Sequence, residues 1–415
     1  MRVEVINTGS ELLLGQVLNT HLKFLAESLL PIGLRIDRQV TVPDGPAITS
    51  ALHDAAARSE IVLITGGLGP TTDDLTRDLV ATWLGLDLIL DPLILVTIEA
   101  YFARRGLTPT SRIQRQAQRP LAATVLQNDH GTAPGLYFPP IRRPDSSLSP
   151  HLFLLPGPPR ELHPMFTQRA LPILISLLPS TPTNTMLTYR TTGLGESAIE
   201  ALLGESLLSL GIEVGYCARL GEVDLRLIGP TATLQSATAI ITSRLGSHLV
   251  SKENLSLESV VLDLLIAARQ TLSTAESCTG GLLAHRLTNP PGASAAFTQS
   301  FVTYSNQAKH LTLGIPTALL ESAGPVSAPV ATAMAEAARH LASTDYALAT
   351  TGFAGPTGGT STDPLGTVFI ALASPHLPTV VERHTFHTDR ESVKILATQA
   401  ALDLLRRSLL LHPPS

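Results

Sequence analysis

Three side chains that can act as nucleophiles follow one another directly in the chain: Ser277, Cys278 and Thr279. They come after the predicted strand TLSTA and before two glycines, Gly280 and Gly281, and a helix-like apolar pattern. A serine at a strand–turn–helix junction is lifted clear of the sheet edge, where the first N–H groups of the helix can stabilise an oxyanion. The junction therefore predicts a nucleophile elbow, with the amides around Thr279 to Gly281 as the oxyanion hole. The alternative is structural, because a serine or threonine here can cap the helix while the glycines allow tight packing.

The sequence also offers a base for this serine. The stretch SFVTYSNQAKHLTLG predicts a strand that ends at Tyr304, followed by a helix whose first turn carries Lys309. Burial favours the uncharged form of a lysine, so a desolvated lysine can remove the serine proton while a tyrosine hydroxyl relays or orients it. Considered singly, Lys309 also fits a solvated helix charge, and Tyr304 fits an edge residue of the core. A glycine-rich turn, TTGFAGPTGG, carries Gly352 and Gly355 and suits close backbone contact with a polar ligand.

Carboxylates gather near the ends of three predicted strands in the first part of the chain. TGGLGPTTDDLT carries Asp73 and Asp74 after a glycine-rich turn, VPDG carries Asp44, and TGSELLLG carries Glu11. Asp73 and Asp74 suit a divalent cation held against phosphate oxygens. An Asp-rich helix start favoured by the helix dipole is the alternative, although carboxylates at three strand ends exceed what helix caps require. Three glycines of the turn expose N–H groups to a phosphate or a pterin-like ligand: Gly66, Gly67 and Gly69.

Alternating strand and helix patterns indicate how these residues are positioned. The β-branched apolar runs VEVINT, LRIDRQVTV and EIVLIT are separated by helical stretches around 19–30 and 46–58. That alternation is typical of a parallel sheet covered by helices, whose binding residues gather at the carboxyl ends of the strands. We therefore predict an α/β domain with a parallel sheet over residues 1–178 and a second α/β domain over 251–415.

Between these two domains, the sequence predicts a linker and a small module. The linker is the proline- and threonine-rich stretch LPSTPTNT (178–185). Residues 179–250 then follow the pattern of a small α+β sandwich without a cluster of titratable side chains. We interpret this segment as a spacer or dimerisation module.

The composition limits the class of protein. The chain has 415 residues, too many for one hydrophobic core, and a net charge of -5. So mild a charge gives no strong electrostatic reason to bind nucleic acid or anionic lipid. Two cysteines are too few for a disulfide framework or a thiolate metal site, which fits a reducing compartment. Since neither a signal-peptide pattern nor a membrane-spanning run is visible, we expect a cytoplasmic protein without membrane contact.

Six motifs in a fixed order resemble the C-terminal domain of the CinA family over residues 255–410: AESCTGG, FVTYSNQAK, GPVS, TGFAGPTGG, GTVFIA and TDRESV. The resemblance implies an amidohydrolase that converts nicotinamide mononucleotide to nicotinate mononucleotide and ammonia. It implies Ser277 as the nucleophile, with Tyr304 and Lys309 as its partners. Cys278 is then a packed neighbour, and Thr279 a helix cap or an oxyanion donor.

The implied reaction needs no metal or cofactor at this site, because the oxyanion rests on backbone N–H groups. Lys309, through Tyr304, removes the proton of Ser277, and the serine attacks the carboxamide. Ammonia leaves, and water then releases nicotinate mononucleotide.

The phosphate of this substrate calls for a cation or a helix N-terminus. Arg390 in TDRESV is the candidate, because Thr388 and Glu391 are predicted to form a capping box that starts a helix there. A solvated arginine in a first helical turn is the alternative. The sequence departs from the family pattern at Asp363, where a lysine is usual, and at Lys394, where an arginine is common.

The first part of the chain resembles the molybdopterin-biosynthesis-type domain at the N-terminus of the same family, on the motifs TGGLGPTTDD, GTAPG and LPGPP. This resemblance covers residues 1–170 and implies, in some members, an ADP-ribose pyrophosphatase that uses a divalent metal such as Mg, Mn or Co. Asp44 and Asp74 match acidic site residues of the wider superfamily, and Glu11 is carried over as a third metal ligand. The middle segment resembles the family's KH-like domain, but it lacks the G-x-x-G loop of RNA-binding KH domains.

Three hypotheses follow for the function. The leading one is a homodimeric, bifunctional hydrolase that recycles pyridine nucleotides and whose partners are the small molecules nicotinamide mononucleotide and ADP-ribose. In the second, the N-terminal domain only binds a nucleotide or a pterin. In the third, suggested by the family name, the protein is an interaction scaffold in competence or DNA repair. Ammonia release and metal-dependent diphosphatase assays separate these hypotheses.

Overall fold

The computed structural model describes residues 1–108, 112–178, 185–375 and 377–411. The chain divides into two compact units, Met1–Thr185 and Met186–Ser415. The predicted fold class, two α/β domains and a small α+β module between them, is confirmed. Most of the predicted linker, residues 179–184, lies outside the described residues, and the predicted domain limits stay predictions.

The first unit contains a six-stranded mixed sheet and a two-stranded ribbon. Its strands are β1 (Val3–Thr8), β2 (Ile36–Val42), β3 (Ile61–Thr65), β4 (Leu88–Leu90), β5 (Gln118–Pro120), β6 (Thr124–Leu126), β7 (Gly135–Phe138) and β8 (His151–Leu155). Its helices are α1 (Ser10–Leu13), α2 (His21–Leu29), α3 (Pro46–Ala56), α4 (Thr76–Leu84), α5 (Pro92–Ala103), α6 (Ile113–Gln116), α7 (Pro159–Met165) and α8 (Leu171–Leu177). The sheet order is β2-β1-β3-β8-β7-β6, parallel from β2 to β8 and antiparallel from β8 to β6, while β4 and β5 pair separately.

Burial on both faces explains why the central strand β3 is apolar from Ile61 to Ile64. All residues of β1 and β3 are buried. Along β3, Ile61 and Leu63 join one hydrophobic cluster, and Val62 and Ile64 join the other. This alternation follows from the two-residue period of a strand, and it makes the sheet the middle layer between two helical layers. The helices predicted around 19–30 and 46–58 are α2 and α3.

The second unit begins with a small antiparallel sheet packed against two helices. Its elements are β9 (Thr185–Thr192), α9 (Glu196–Leu208), β10 (Glu213–Arg219), β11 (Glu222–Gly229), α10 (Thr231–Leu245) and β12 (Leu249–Ser251). The sheet order is β10-β11-β9-β12. The buried residues of α9 and α10, Leu203 and Ile241 among them, form one core with Leu225 and Leu227 of β11.

A five-stranded sheet forms the remainder of the second unit. Its strands are β13 (Leu272–Glu276), β14 (Phe297–Val302), β15 (Tyr346–Gly352), β16 (Thr367–Ala373) and β17 (Val380–Thr385). Its helices are α11 (Leu257–Ala267), α12 (Leu282–Thr288), α13 (Asn306–Leu313), α14 (Thr317–Ser322), α15 (Ala328–Ala342) and α16 (Arg390–Leu411). The order is β14-β13-β15-β16-β17, with β14, β13 and β15 parallel and the last two strands antiparallel.

The parallel part of this sheet determines where the candidate residues meet. Leu348 of β15 joins the cluster that contains α11 and α16, whereas Ala347 and Ala349 join the cluster that contains α15. Because β13, β14 and β15 run in the same direction, their carboxyl ends lie at one edge of the sheet. Ser277, Thr303 and the turn after Gly352 therefore come together there.

The longest helix, α16, also contacts the small antiparallel module. Arg406 is almost completely buried and donates to the carbonyl oxygens of Ser247 and Leu249. Gln399 donates to Glu222 over 2.8 Å. Within the described residues, none of the helices combines the length and apolar character that crossing a bilayer requires.

Candidate active site

Ser277 and Lys309 are in direct contact at the carboxyl edge of the second large sheet. Lys309 Nζ donates to Ser277 Oγ over 2.9 Å and to the carbonyl oxygen of Thr303 over 3.2 Å. Only 2% of Lys309 and 7% of Ser277 are exposed. Ser305 caps α13 by accepting the N–H of Ala308, which fixes the first turn that carries the lysine.

Burial decides the protonation chemistry of this pair. Burial lowers the pKa of Lys309, because it removes water from the ammonium form. Both acceptors of the amine are uncharged oxygens, so neither neutralises an ammonium. Burial also raises the pKa of the Cys278 thiol to about 12, so this sulfur stays protonated near neutral pH. A thiol is a poor nucleophile in its protonated form. The electrostatics therefore favour Ser277 over its neighbour.

The turn after Ser277 depends on two glycines with left-handed backbone. Gly280 has a φ of 61° and Gly281 a φ of 94°, a region that residues with a Cβ rarely adopt. The N–H of Ser277 donates to the carbonyl oxygen of Thr350 over 2.9 Å, and the Gly280 N–H donates to the carbonyl oxygen of Ser277 over 3.1 Å. The N–H and the carbonyl oxygen of Ser277 are thus both hydrogen-bonded, which fixes the backbone of the nucleophile candidate.

The predicted oxyanion hole needs correction, because Glu276 uses part of it. The carboxylate of Glu276 accepts the N–H of Gly281 over 2.9 Å and the hydroxyl of Thr279 over 2.7 Å. Thr279 is fully buried and also contacts Thr350 through its hydroxyl, so its side chain does not cap α12. Within the described residues, the N–H groups of Cys278 and Thr279 donate to no oxygen, and both lie against the Cys278 sulfur. These two amides are the donors that the turn leaves for an oxyanion.

Sequence reasoning missed Glu276. The signal was available, because an acidic residue ends the otherwise uncharged strand TLSTAE directly before the serine. A charge at the end of a strand buried on both faces indicates a specific set of hydrogen-bond donors.

Tyr304 and Arg390 meet beside this pair rather than within it. Arg390 donates to the Tyr304 hydroxyl over 2.7 Å and to the carbonyl oxygen of Gly355. Tyr304 is 60% exposed. The relay from Lys309 through Tyr304 to Ser277 is not the observed arrangement, since the lysine reaches the serine directly. The structure instead joins Tyr304, Arg390 and the glycine-rich turn into one exposed polar surface.

Gly352, at the end of β15, has a packing role. A Cβ at this position would lie 2.6 Å from the carbonyl oxygen of Thr367 and would also meet Val368. The glycine therefore allows β15 and β16 to approach closely at the point where the strand turns towards Gly355.

The start of α16 differs from the predicted capping box. The Asp389 carboxylate, rather than Thr388 and Glu391, caps the helix by accepting the N–H of Ser392 over 3.0 Å. Hydrogen bonds from the side chain and the backbone of Ser392 lower the pKa of Asp389 to about 2. Arg390 is consequently fixed in the first turn, as predicted, although by a different cap.

The two departures from the family pattern have different surroundings. Lys394 lies above the nucleophile turn, since a Cβ on Gly280 would stand 3.8 Å from its Nζ. Asp363 accepts a hydrogen bond from Arg383 Nε over 2.9 Å and forms an ion pair with this arginine.

The first unit contains a cavity of about 520 Å³ that brings all of its predicted site residues together. The predicted residues among its lining are Glu11, Asp44, Gly66, Gly67, Gly69 and Asp74. The cavity lies at the carboxyl ends of β1, β2 and β3, the position expected for a ligand site in an α/β sheet. One wall is acidic, and another is apolar through Leu12, Val17 and Leu18.

Short-range contacts shape the acidic wall. A Cβ on Gly69 would lie 2.5 Å from a carboxylate oxygen of Asp74, so glycine is required where this acid folds against the turn. Asp74 accepts the N–H of Thr71 over 2.8 Å, and Asp44 accepts the N–H of Ser10 over 3.1 Å. Gly66 and Gly67 both have positive φ, 97° and 67°.

The carboxylates suit a hard cation, but they do not form a complete ligand cage. Within the described ranges, no group of three or more His, Cys, Asp or Glu side chains stands close enough to hold a metal ion. Carboxylate oxygens are nevertheless the ligands that Mg²⁺ prefers, and this ion commonly takes one or two of them together with substrate phosphates and water. The metal site of Glu11, Asp44 and Asp74 stays a prediction.

Gln116 is a further cavity residue that sequence reasoning missed. It ends α6, only 2% of it is exposed, and its amide nitrogen has no hydrogen-bond partner within the part of the chain that the structure describes. Arg115 beside it donates to the carbonyl oxygens of Thr71 and Asp74, each over 3.3 Å, and so holds the acidic turn. Nothing in the local sequence of α6 indicates a ligand, because the place of Gln116 in the cavity lining depends on the tertiary fold and not on a local pattern.

Three family models match successive parts of the chain. The model described as "Probable molybdopterin binding domain" matches residues 4–176. That described as "Damage-inducible protein CinA KH domain" matches 187–249, and "CinA C-terminal domain" matches 254–409.

Relatives that match over almost the whole length of the chain agree with these family models. A "CinA-like protein" of Akkermansia muciniphila is 41% identical over 403 residues, which cover 97% of this chain and 96% of the relative. A "Putative competence-damage inducible protein" of Symbiobacterium thermophilum is 41% identical over 428 residues, with 99% of each chain covered. The crystal structure of the competence damage-inducible protein A from Klebsiella pneumoniae is 36% identical, with a TM-score of 0.36, and covers 37% of this chain and 95% of that chain.

Proposed function

Because the chain belongs to the CinA family, as its motifs predicted, we propose that its C-terminal domain is a serine amidohydrolase that deamidates nicotinamide mononucleotide. The observation that carries this proposal is the buried contact of 2.9 Å between Lys309 Nζ and Ser277 Oγ. A lysine whose pKa is lowered by burial can take a proton from a serine that attacks an amide carbonyl.

The proposed reaction proceeds in two acyl-transfer steps. Neutral Lys309 takes the Ser277 proton as Ser277 Oγ bonds to the carboxamide carbon, and the N–H groups of Cys278 and Thr279 stabilise the oxyanion. The lysine ammonium then gives its proton to the departing nitrogen, which leaves as ammonia while an ester to Ser277 forms. Lys309 then deprotonates a water molecule, which attacks the ester carbon. The lysine gives this proton to Ser277 Oγ as the ester bond breaks and nicotinate mononucleotide is released.

The phosphate of the substrate has a cationic partner at the mouth of this site. Arg390 is exposed, and its guanidinium already spans the Tyr304 hydroxyl and the Gly355 carbonyl oxygen. Lys394 adds a second positive charge near Gly280. A phosphate bound between these cations would leave the nicotinamide ring directed towards Ser277.

Ammonia release tests the proposal. We expect the purified chain to release one ammonia per nicotinate mononucleotide formed, and to release much less from free nicotinamide, which lacks the phosphate that Arg390 would bind. An inactive protein with an intact melting transition, or equal activity on free nicotinamide, contradicts the assignment of substrate.

For the N-terminal domain, we propose hydrolysis of the diphosphate of ADP-ribose to AMP and ribose 5-phosphate. Asp44, Asp74 and Glu11 are the residues that would hold a divalent metal, which when bound supplies charge neutralisation for the diphosphate. The backbone of Gly66 to Gly69 would approach the phosphates, and the unpaired amide of Gln116 would donate to one phosphate oxygen.

Substitution of Gln116 tests this use of the cavity. Gln116→Leu keeps the volume but removes the donor, so we expect ADP-ribose to bind about tenfold more weakly, in line with a lost hydrogen bond to a charged group. Calorimetric titration with ADP-ribose measures the change, and unchanged affinity would exclude Gln116 from the ligand site.

A second candidate function for this domain is binding without cleavage. The apolar wall of the cavity and the N–H groups of its glycine turn would then hold a nucleotide or a pterin. Binding of ADP-ribose without AMP formation, in the presence of Mg²⁺, Mn²⁺ or Co²⁺, would select this alternative. A role in competence is consistent with the names of the relatives, and homodimerisation and a cytoplasmic location stay predictions.

A further inference from the structure

Glu276 is a buried carboxylate that the proposed acyl transfer does not use. It ends β13, directly precedes Ser277, and is 0% exposed. Within the residues that the structure describes, it forms hydrogen bonds but no ion pair with a lysine, arginine or histidine. A buried carboxylate without a cation is destabilising unless several donors satisfy its oxygens.

Four donors satisfy this carboxylate, and all of them belong to the turn and helix that follow Ser277. One oxygen accepts the Thr279 hydroxyl over 2.7 Å and the N–H groups of Gly281 and Leu283 over 2.9 and 3.1 Å. The other oxygen accepts the N–H of Ala284 over 2.8 Å. The first N–H groups of a helix have no acceptor within the helix, so Glu276 supplies from the strand what α12 lacks.

These bonds close a loop around the nucleophile candidate. Glu276 lies on the strand side of Ser277, and its donors lie on the helix side, so the serine cannot shift without stretching them. We propose that Glu276 is a positioning residue that ties α12 to the end of β13 and thereby holds Ser277 Oγ against Lys309. This inference rests on the proposed function, in which Ser277 is the nucleophile.

The charge of Glu276 is part of its role. Hydrogen bonds to an ionised carboxylate are roughly twice as strong as those between neutral groups. A glutamine amide has one acceptor oxygen, and its NH₂ group would face at least one N–H donor that the carboxylate now accepts. Glu276→Gln therefore keeps the size of the side chain but leaves at least one donor of α12 unsatisfied.

Kinetics of Glu276→Gln give the first test, with Glu258→Gln as the matched control. Glu258 is another largely buried carboxylate of the same domain, but it pairs with Arg286 over 2.8 Å, and its side chain does not contact the turn. We expect Glu276→Gln to lower kcat for deamidation by about a hundredfold, because small misplacements of reacting groups have effects of this size. KM should change little, and Glu258→Gln should retain kcat. Equal kcat losses in the two variants at equal loss of melting temperature would overturn the proposal.

Two further readouts do not depend on the substrate. Hydrogen exchange followed by mass spectrometry should show faster exchange over residues 277–284, which carry the donors to Glu276, in Glu276→Gln but not in Glu258→Gln. Labelling of Ser277 by a fluorophosphonate should slow in parallel with kcat. Unchanged exchange and labelling in folded Glu276→Gln would overturn the positioning role.

The outcomes separate this inference from the proposed function. If the unsubstituted protein is labelled at Ser277 but releases no ammonia, the substrate assignment fails, and labelling still decides the role of Glu276. If it is neither labelled nor active, Ser277 is not a nucleophile, and both proposals fail. Should Glu276→Gln not fold, Glu276→Asp keeps the charge and should show partial kcat and labelling. Failure of both variants to fold would make Glu276 a residue of folding alone.

Discussion

Lys309 Nζ and Ser277 Oγ lie 2.9 Å apart in a contact from which solvent is almost excluded. The other acceptor of the lysine is the carbonyl oxygen of Thr303, so no carboxylate neutralises its charge there. Burial consequently lowers the pKa of Lys309. In this contact the neutral lysine can accept the serine proton. For the same reason, protonation of the lysine lowers the free energy of unfolding.

Replacement of the nucleophile should separate Ser277 from Cys278. We expect Ser277→Ala to lower deamidation by ~10³-fold or more, since removal of a nucleophile has effects of this size or larger. Cys278→Ala should keep most of the activity, because burial raises the pKa of this thiol to about 12 and keeps it protonated. Ammonia release measures both. An inactive cysteine variant beside an active serine variant would reverse the assignment.

Charge-conserving replacement of Lys309 should not conserve activity. A guanidinium cannot give up its proton near neutral pH, so Lys309→Arg should be nearly as inactive as Lys309→Ala. In the unsubstituted protein, kcat should rise with pH to a plateau as Lys309 loses its proton, with a midpoint below the ordinary lysine pKa of 10.5. Substantial activity of Lys309→Arg would make the lysine an electrostatic residue and would require another base.

The same pKa shift should appear in the pH dependence of stability. The folded pKa of Lys309 lies below the unfolded value of 10.5, so the unfolded chain binds more protons between these two values. The unfolding free energy should therefore rise with pH through this window, and the full destabilisation should persist below it. Lys309→Met removes the titrating group, so we expect its stability relative to the unsubstituted protein to decrease as the pH approaches 10.5.

Denaturant melts across this pH range measure that difference. Lys252→Met, at an exposed position, is the control and should show no such trend. If the difference between Lys309→Met and the unsubstituted protein were independent of pH, Lys309 would not be the titrating group.

The sequence predicts that Ser277 and Lys309 lie at one edge of the sheet, because each is placed by a local pattern. A serine after a predicted parallel strand and before two glycines lies at a sheet edge, and a lysine in the first turn after a neighbouring parallel strand lies at the same edge. The neighbouring contacts were less predictable. Tyr304 was expected between these residues. Lys309 instead contacts Ser277 directly, and the Tyr304 hydroxyl accepts a hydrogen bond from Arg390.

The N-terminal cavity likewise combines residue positions that the sequence predicts with contacts that it does not. Asp44, Asp74 and the glycines lie at strand ends, and their meeting in one cavity follows from a parallel sheet. Gln116 belongs to a short helix outside the alternating strand and helix pattern, so only the fold reveals that this residue lines the cavity. The side-chain separations that decide a metal site depend on contacts such as Asp74 with Thr71, which sequence spacing does not specify.

Arg390 should act on substrate affinity rather than on chemistry. Because its guanidinium is exposed and spans Tyr304 and Gly355, we expect Arg390→Gln to raise KM for nicotinamide mononucleotide by about tenfold, with kcat much less affected. Tyr304→Phe removes one acceptor of the arginine and should change KM in the same direction, but less. Steady-state kinetics measure both variants.

Nicotinamide riboside, which lacks the phosphate, is the control substrate for these variants. Its KM should be insensitive to Arg390→Gln. A loss of kcat in Tyr304→Phe as large as that in Ser277→Ala would instead support the proton relay through the tyrosine.

The two proposed activities should respond differently to Asp74→Asn and to chelation. Asp74→Asn removes one negative charge from the acidic wall of the N-terminal cavity, so a divalent cation would be held less tightly and AMP formation from ADP-ribose should collapse. EDTA should have the same effect. Deamidation should persist in both cases, because its proposed oxyanion rests on backbone N–H groups in a different domain.

An exposed acid and a melting curve control this comparison. Asp54→Asn, outside the cavity, should leave both reactions unchanged. Because Asp74 also accepts the N–H of Thr71, a lowered melting temperature in Asp74→Asn would point to the turn rather than to the cation, and added Mn²⁺ would then fail to restore activity. Full diphosphatase activity of Asp74→Asn in EDTA would exclude a metal at this site, and loss of both reactions in EDTA would contradict a metal-free deamidase.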